Sequence, residues 1–107
     1  MWFPLVLVAS SLLAPSEAVP AFPLEFEMTY CYEGERCNTT TWTFYDDGRM
    51  GDTLDGAGDW RARGGDFWLI YDHGSEYRGT YDMTTGCMEG ENRRDTGEMG
   101  TWDACMI

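Results

Sequence analysis

The sequence predicts an all-β protein, an antiparallel meander of about eight short strands that closes into a small barrel. Three observations lead to this fold class: apolar and polar residues alternate, short glycine-containing turns recur, and no window after residue 19 repeats apolar residues at helical spacing. Alternation with a period of two is typical of half-buried strands. An open meander of eight strands would leave two bare edges, and closure into a barrel removes them.

A short motif repeats along the chain at a constant interval. The triplets Gly-Asp-Trp, Gly-Thr-Tyr and Gly-Thr-Trp begin at Gly58, Gly79 and Gly100, which are equally spaced. The interval accommodates two strands, so the repeat unit is a β-hairpin.

The turns between the strands have a recognisable chemistry. Asp-x-Gly begins at Asp46, Asp72 and Asp95, and Gly64-Gly65 forms a two-residue turn. Such loops need a positive φ, which glycine supplies. Each turn dictates which residues face each other, and all of them place apolar residues on one face. The expected cross-strand pairs are Phe44 with Met50, Trp60 with Leu69, Ala62 with Phe67, Leu69 with Tyr77, Phe67 with Gly79, Met88 with Ala104 and Gly90 with Trp102.

The expected strands run near residues 24–32, 37–45, 49–54, 58–63, 66–71, 75–82, 86–93 and 98–106. In the third strand Asp52 shares its face with Met50 and Leu54, so its carboxylate would point inward unless a bulge intervenes. Ten aromatic side chains are expected to point into the barrel, namely Phe26, Tyr30, Trp42, Phe44, Trp60, Phe67, Tyr71, Tyr77, Tyr81 and Trp102.

The four cysteines are predicted to form two disulfides. The 95–97 turn places Cys87 directly opposite Cys105 on the outer face, and Cys31 and Cys37 flank a short loop on that same face. We therefore predict Cys31–Cys37 and Cys87–Cys105, with Cys31–Cys105 as the alternative. A metal site is disfavoured because there is no Cys-x-x-Cys pair and only one histidine.

The N-terminal segment is predicted to be an export signal. An apolar run from Phe3 to Ala14 is too short to span a bilayer and precedes Ser16-Glu17-Ala18, a small-x-small cleavage pattern. Residues 1–18 are therefore expected to be a signal peptide and residues 19–107 a barrel domain, exported to the periplasm or the extracellular space. No Lys or Arg precedes the apolar run, and a buried hydrophobic helix is the alternative.

The charge restricts the partners. The chain carries 19 acidic residues against seven basic ones, all arginine, for a net charge of −12. This acidity repels nucleic-acid phosphates and anionic lipid, so neither nucleic acid nor membrane insertion of the mature chain is expected. Solubility explains the acidity more simply than a cationic partner does.

No catalytic constellation is present, and the protein is predicted not to be an enzyme. The single histidine, His73, lies in a tight turn, and Ser75 is the one serine after the leader. Turn chemistry accounts for the aspartates at 46, 47, 52, 55 and 59, whose spacing does not match a calcium loop. No cofactor and no metal are predicted.

Binding is the expected role. A barrel of eight strands is either filled by side chains or wide enough for one small ligand. The candidate ligand-binding residues are the inward rings Trp42, Trp60, Tyr77, Tyr81 and Trp102, for which plain core packing is the alternative.

An apolar patch on the outer face is a second candidate. Tyr45, Trp68 and Ile70 are expected to point outward, as a possible protein-contact surface. Arg61 lies opposite Trp68, where a cation–π contact would partly explain the exposed indole.

The repeated triplets and Asp-x-Gly hairpins, over roughly residues 40–105, resemble those of small lipocalin-like and avidin-like meander barrels of exported bacterial proteins. The resemblance implies an eight-stranded antiparallel barrel and binding of a small ligand or protein rather than catalysis. It does not imply biotin recognition. A small periplasmic inhibitor of secreted metalloproteases is a similar barrel with a disulfide, and such an inhibitor is the alternative function. Its inhibitory arm has no match between Val19 and Leu24.

Overall fold

The computed structural model describes residues 21–107, which form eight antiparallel strands joined in chain order into a closed barrel. The predicted fold class is therefore confirmed. The described residues contain no helix long and apolar enough to cross a membrane. The predicted signal peptide, residues 1–18, lies outside the described residues. The strands are β1 Leu24–Tyr32, β2 Asn38–Phe44, β3 Arg49–Asp52, β4 Ala57–Arg63, β5 Asp66–Tyr71, β6 Glu76–Asp82, β7 Cys87–Arg93 and β8 Met99–Met106.

The predicted register is confirmed in all seven cross-strand pairs. The turn at Gly64-Gly65 shows why. Both of its residues have a positive φ. This is the conformation of a two-residue hairpin whose twist matches that of the flanking strands. A slip by one residue would have turned each apolar set towards water.

The third strand is shorter than predicted. It ends at Asp52 rather than at residue 54, and it reaches that point without a bulge. Asp52 points inward at the end of the barrel, where its Oδ1 accepts hydrogen bonds from the backbone N–H groups of Leu54 and Gly56. The carboxylate thus ends the strand by bonding the turn that follows it.

Side chains fill the centre of the barrel. Trp42 is completely buried, with its ring centroid 5.3 Å from those of both Tyr77 and Trp102. All ten aromatic residues predicted to point inward belong to this core or pack against it. The interior of the barrel formed by residues 21–107 is therefore a packed core, and clefts lie towards its two ends.

The repeated glycines have a common structural role. A Cβ atom at Gly58, Gly79 or Gly100 would collide with a backbone carbonyl oxygen of the neighbouring strand. The three positions therefore require glycine because two backbones approach each other too closely for any side chain. The regular repeat recognised in the sequence marks these close approaches.

Both predicted disulfides are present, Cys31–Cys37 and Cys87–Cys105. The alternative pairing does not occur: Cys31 faces Thr101 and Cys105 faces Glu27 across the β1–β8 ladder, so the two cysteines are offset along their strands. Each disulfide closes a local hairpin.

Candidate functional site

The packed centre leaves one cleft at each end of the barrel. The first cleft lies where β1 begins, and we call it the apolar mouth. It is lined by Phe22, Leu24, Phe26, Phe44, Trp60, Ala62, Phe67, Tyr81, Asp82, Met83, Gly86, Cys87, Met88 and Met106.

The second cleft, the polar mouth, lies where β1 ends. It is lined by Tyr30, Tyr32, Thr40, Asp52, Leu54, Asp55, Gly56, Tyr71, His73, Ser75, Tyr77, Arg94 and Asp95. The two ends of one small barrel therefore differ in chemistry.

The apolar mouth has a volume of about 250 Å³. Phe22, just before β1, stacks on Trp60 with ring centroids 5.9 Å apart. The indole N–H of Trp60 donates to the backbone carbonyl of Tyr45 at 3.0 Å, which satisfies its polar atom and fixes the ring. Asp82 is the one charged residue in the lining, and its carboxylate accepts the backbone N–H of Thr84. The lining of the cleft is therefore apolar, and the fixed ring of Trp60 forms a rigid part of its wall.

Exposed apolar side chains concentrate around this end. Of the seven large apolar side chains exposed among residues 21–107, only Leu54 and Met99 lie at the opposite end. Apolar side chains exposed near one another are typical of binding sites, and methionine adapts its shape to different ligands. Of the other five, Phe22, Met83 and Met106 line the apolar mouth, and Tyr45 and Ile107 lie at the same end of the barrel.

A chain of hydrogen bonds crosses the floor of the polar mouth. The Trp42 indole donates to the Tyr71 hydroxyl at 2.8 Å, and this hydroxyl donates to Asp52 Oδ2 at 2.7 Å. Burial raises the pKa of Tyr71, with the bond to Asp52 adding to the effect, so the phenol stays protonated and remains a donor. The chain links the barrel centre to a carboxylate at its rim.

The structure divides the five predicted ligand-binding residues among three places. Trp60 and Tyr81 line the apolar mouth, Tyr77 lines the polar mouth, and Trp42 and Trp102 are buried between them. They therefore do not form one pocket.

Of the residues that line the apolar mouth, sequence reasoning proposed Trp60 and Tyr81 as ligand-binding and missed the three large exposed side chains. Phe22, Met83 and Met106 lie before the first strand, in a turn and at the end of the last strand, outside the clear alternation. Their signal in the sequence is their position at one end of the predicted meander, because Phe22 and Met106 flank its two terminal strands.

The predicted outer patch is not continuous. Trp68 is half-buried, donates to Glu76 at 2.8 Å and lies beneath the Arg61 guanidinium, 4.7 Å from the ring centroid, so the predicted cation–π contact is confirmed. Ile70 is half-buried beside it on β5. Tyr45 is exposed but directly follows β2, so β3 and β4 lie between it and Ile70.

On this outer face Glu76 accepts hydrogen bonds from several neighbouring side chains. These bonds lead us to expect that the stability of the fold decreases in acid. Hydrogen bonds from Trp68, Arg93 and Arg78 lower the pKa of Glu76 from 4.5 to about 2. Because the folded-state pKa lies below the unfolded value, the stabilisation is present above pH 4.5 and is lost as the pH falls towards 2. We expect Glu76→Gln to be less stable than wild type at neutral pH and to converge with it in acid.

Urea denaturation at a series of pH values measures this effect. Glu89→Gln removes the same charge from an exposed residue that forms no ion pair within residues 21–107, and it serves as the matched control. An equal pH dependence in the two variants would contradict the assignment to Glu76.

The turn residue His73 is exposed, as predicted. Its ring stacks on Tyr71, and its Nε2 lies 2.9 Å from Ser75 Oγ. Turn chemistry also explains Asp47, whose Oδ1 accepts the backbone N–H of Arg49. Within residues 21–107 no three histidine, cysteine or acidic side chains converge as a metal site would require.

Comparison of the chain with protein-family models, with curated proteins and with solved structures yields no significant match.

Proposed function

We propose that this chain is an exported, non-catalytic binding module that takes a small apolar ligand at the apolar mouth. The observation that carries the proposal is the cleft itself: an end of the barrel lined almost entirely by apolar side chains and surrounded by exposed ones. Leaving such surface in water is unfavourable by about 25 cal/mol per Å². A ligand that covers Phe22, Trp60 and Met83 recovers part of this free energy.

The dimensions of the cleft limit the ligand. Its volume is about 250 Å³. Sites for drug-sized molecules begin at roughly 300 Å³, slightly above this value. A compact aromatic compound or a short alkyl chain therefore fits better than a long lipid. Phe22, which stacks on Trp60 and is itself exposed, supplies a flat surface on which a ring can stack, and Met83 and Met106 supply flexible walls.

Export is supported by the cysteines. Disulfides persist in oxidising compartments, and two of them in one small domain are compatible with a periplasmic or extracellular location. The apolar run and cleavage pattern in residues 1–18 also support export.

Binding can be tested with the neutral fluorescent probe N-phenyl-1-naphthylamine. We expect saturable binding with enhanced fluorescence, and displacement of the probe by short-chain alcohols. Phe22→Ala and Met83→Gln change exposed side chains, so both variants should fold, and each should weaken binding roughly three- to tenfold through lost apolar contact.

Met99→Gln is the matched control because Met99 is a similarly exposed methionine at the opposite end of the barrel. The proposal fails if the probe does not saturate the wild-type protein, or if Met99→Gln weakens binding as much as Met83→Gln does.

A protease-inhibitor-like role is the second candidate, and the exposure of Ala21, Phe22 and Pro23 before β1 favours it. An inhibitor of this kind would insert its N-terminal arm into a protease. Deleting residues 19–23 should then abolish inhibition of secreted proteases while the barrel persists by circular dichroism. The deletion also removes Phe22 from the cleft, so Phe22→Ala must be measured beside it. Unchanged protease activity in the presence of the full chain would exclude this role.

A further inference from the structure

The polar mouth combines negative charge with aromatic surface. It has a volume of about 450 Å³. Three carboxylates line it, from Asp52, Asp55 and Asp95, against the single guanidinium of Arg94. Asp55 and Asp95 are exposed and accept no hydrogen bond from residues 21–107, so their charges are free to face a ligand.

Arg94 is already neutralised by its own partners. Its two terminal nitrogens contact both carboxylate oxygens of Glu35, at 3.0 and 3.1 Å, and Glu98 lies 4.0 Å away. Its guanidinium lies 3.9 Å from the centroid of the Tyr32 ring. One tyrosine of this mouth, Tyr32, is thus already in contact with a cation. Because Arg94 is paired with Glu35, the charges of the lining aspartates remain in excess.

Of the three other tyrosines in the lining, Tyr71 is stacked against His73 and bonded to Asp52, so Tyr30 and Tyr77 remain for a ligand. Tyr30 is half-buried and meets Tyr32 edge-on, with centroids 6.1 Å apart. Tyr77 is 4 % exposed, and burial raises its pKa, so the ring is neutral and electron-rich at physiological pH. Neutral phenol rings attract cations through their faces.

Asn92 is a buried polar residue next to the polar mouth. It is 2 % exposed, and it points inward directly opposite Tyr77. Its carboxamide lies beside the Tyr77 hydroxyl, yet neither its nitrogen nor its oxygen makes a hydrogen bond of good geometry with residues 21–107. A buried amide without partners destabilises the fold. Asn92 does not itself line the cleft, but it lies next to Tyr77, which does, so the polar character of this end continues beneath the lining.

From these observations we propose that the polar mouth is a binding site for a small organic cation, such as a quaternary or primary ammonium compound. The carboxylates attract the charge, the rings of Tyr30 and Tyr77 contact the alkyl groups, and the tyrosine hydroxyls meet a polar substituent. This site lies at the opposite end from the apolar mouth and does not depend on the function proposed for that end.

The geometry favours an organic cation over a bare metal ion. The cleft is far larger than one ion, and no three ligating side chains converge within residues 21–107. Asp52 is also occupied, since it accepts bonds from Tyr71 and two backbone N–H groups. Aromatic walls stabilise an alkylammonium ion, whereas a hard metal ion requires oxygen ligands in its place.

The direct test compares choline with 3,3-dimethylbutan-1-ol, which has nearly the same shape but no charge. We expect saturable binding of choline by calorimetry, weakened by added salt, and at least about tenfold weaker binding of the neutral alcohol. Equal affinity for the two compounds would overturn the proposal, because the site would then recognise shape alone.

Two sets of variants locate the site. Asp55→Asn with Asp95→Asn removes two lining charges, and asparagine tolerates the positive φ found at residue 55. We expect choline binding to fall roughly three- to tenfold. Asp103→Asn is the matched control on the outer face. Tyr30→Leu should weaken choline binding by a similar factor, and Tyr30→Phe should retain it because the ring is kept.

Each outcome has a definite meaning. Loss of choline binding in the lining variants, with Asp103→Asn unaffected and thermal midpoints unchanged, supports the site. The site is excluded if choline gives no saturable signal, or if Asp103→Asn weakens it as much as the lining variants do. Binding of the fluorescent probe at the apolar mouth is measured in the same samples. Retained probe binding without choline binding would exclude the cation site but leave the function proposed for the apolar mouth intact.

Discussion

Replacing Trp42 with alanine is expected to lower the free energy of unfolding by about 3–5 kcal/mol, the range for removing a large buried aromatic ring. Trp42 is fully buried at the centre of the barrel, where it meets rings from several other strands. A closed barrel cannot collapse easily around the resulting cavity, because every strand is held by two neighbours. The upper half of the range is therefore expected.

Trp42→Phe separates packing from hydrogen bonding. Phenylalanine keeps a ring at the centre but removes the N–H donor to Tyr71. Such a bond contributes about 1 kcal/mol. The Tyr71 hydroxyl can still donate to Asp52 in this variant. Guanidinium denaturation followed by circular dichroism measures both variants. A loss below about 1 kcal/mol for Trp42→Ala would show that the centre of the barrel is not packed as described.

Removing the Cys87–Cys105 disulfide by a double alanine substitution is expected to cost about 3 kcal/mol, from loop-closure entropy in the unfolded chain. The two cysteines of this bridge have a sequence separation of 18, against 6 for Cys31–Cys37. Because the second loop is shorter, its removal should cost less, about 2 kcal/mol. The two double variants are matched controls for each other, because each replaces one cystine in a hairpin.

The two bridges should also differ in their effects on the two ends. Cys87 lines the apolar mouth, whereas the loop between Cys31 and Cys37 carries Glu35, which holds Arg94 at the polar mouth. We expect loss of the first bridge to weaken probe binding and loss of the second to weaken choline binding. Denaturation midpoints and both binding assays check this. Equal stability losses for the two bridges would contradict the loop-length argument.

Local sequence chemistry was sufficient for the architecture. The glycines at 64 and 65 and the Asp-x-Gly turns dictate which residues face each other, and a strand has only two faces. Once Phe67 and Leu69 face inward, the direction of each neighbouring side chain follows. The disulfides follow from the same register, because Cys87 and Cys105 can face each other only if Met88 and Ala104 do so too.

Which residues line the cleft at each end of the barrel could be determined only from the tertiary structure. The alternation of apolar and polar residues predicts that Trp60 and Trp42 both point inward, but it does not predict the position of either residue along the barrel axis. The five predicted ligand-binding rings therefore looked equivalent, although three of them, Trp42, Tyr77 and Trp102, are buried core residues. The two clefts arise from strand tilt and closure, which bring together residues from the beginning and the end of the chain such as Phe22 and Met106.

The sequence by itself determined an acidic, all-β meander with a defined register, two specific disulfides and an inward face rich in aromatic rings. Only the tertiary structure decided that these rings fill the centre, that apolar surface collects at one end, and that Asn92, Arg94 and three aspartates meet tyrosines at the other. The physical reason is that register depends on neighbours along and across two strands, whereas a site depends on distances around the whole closed sheet.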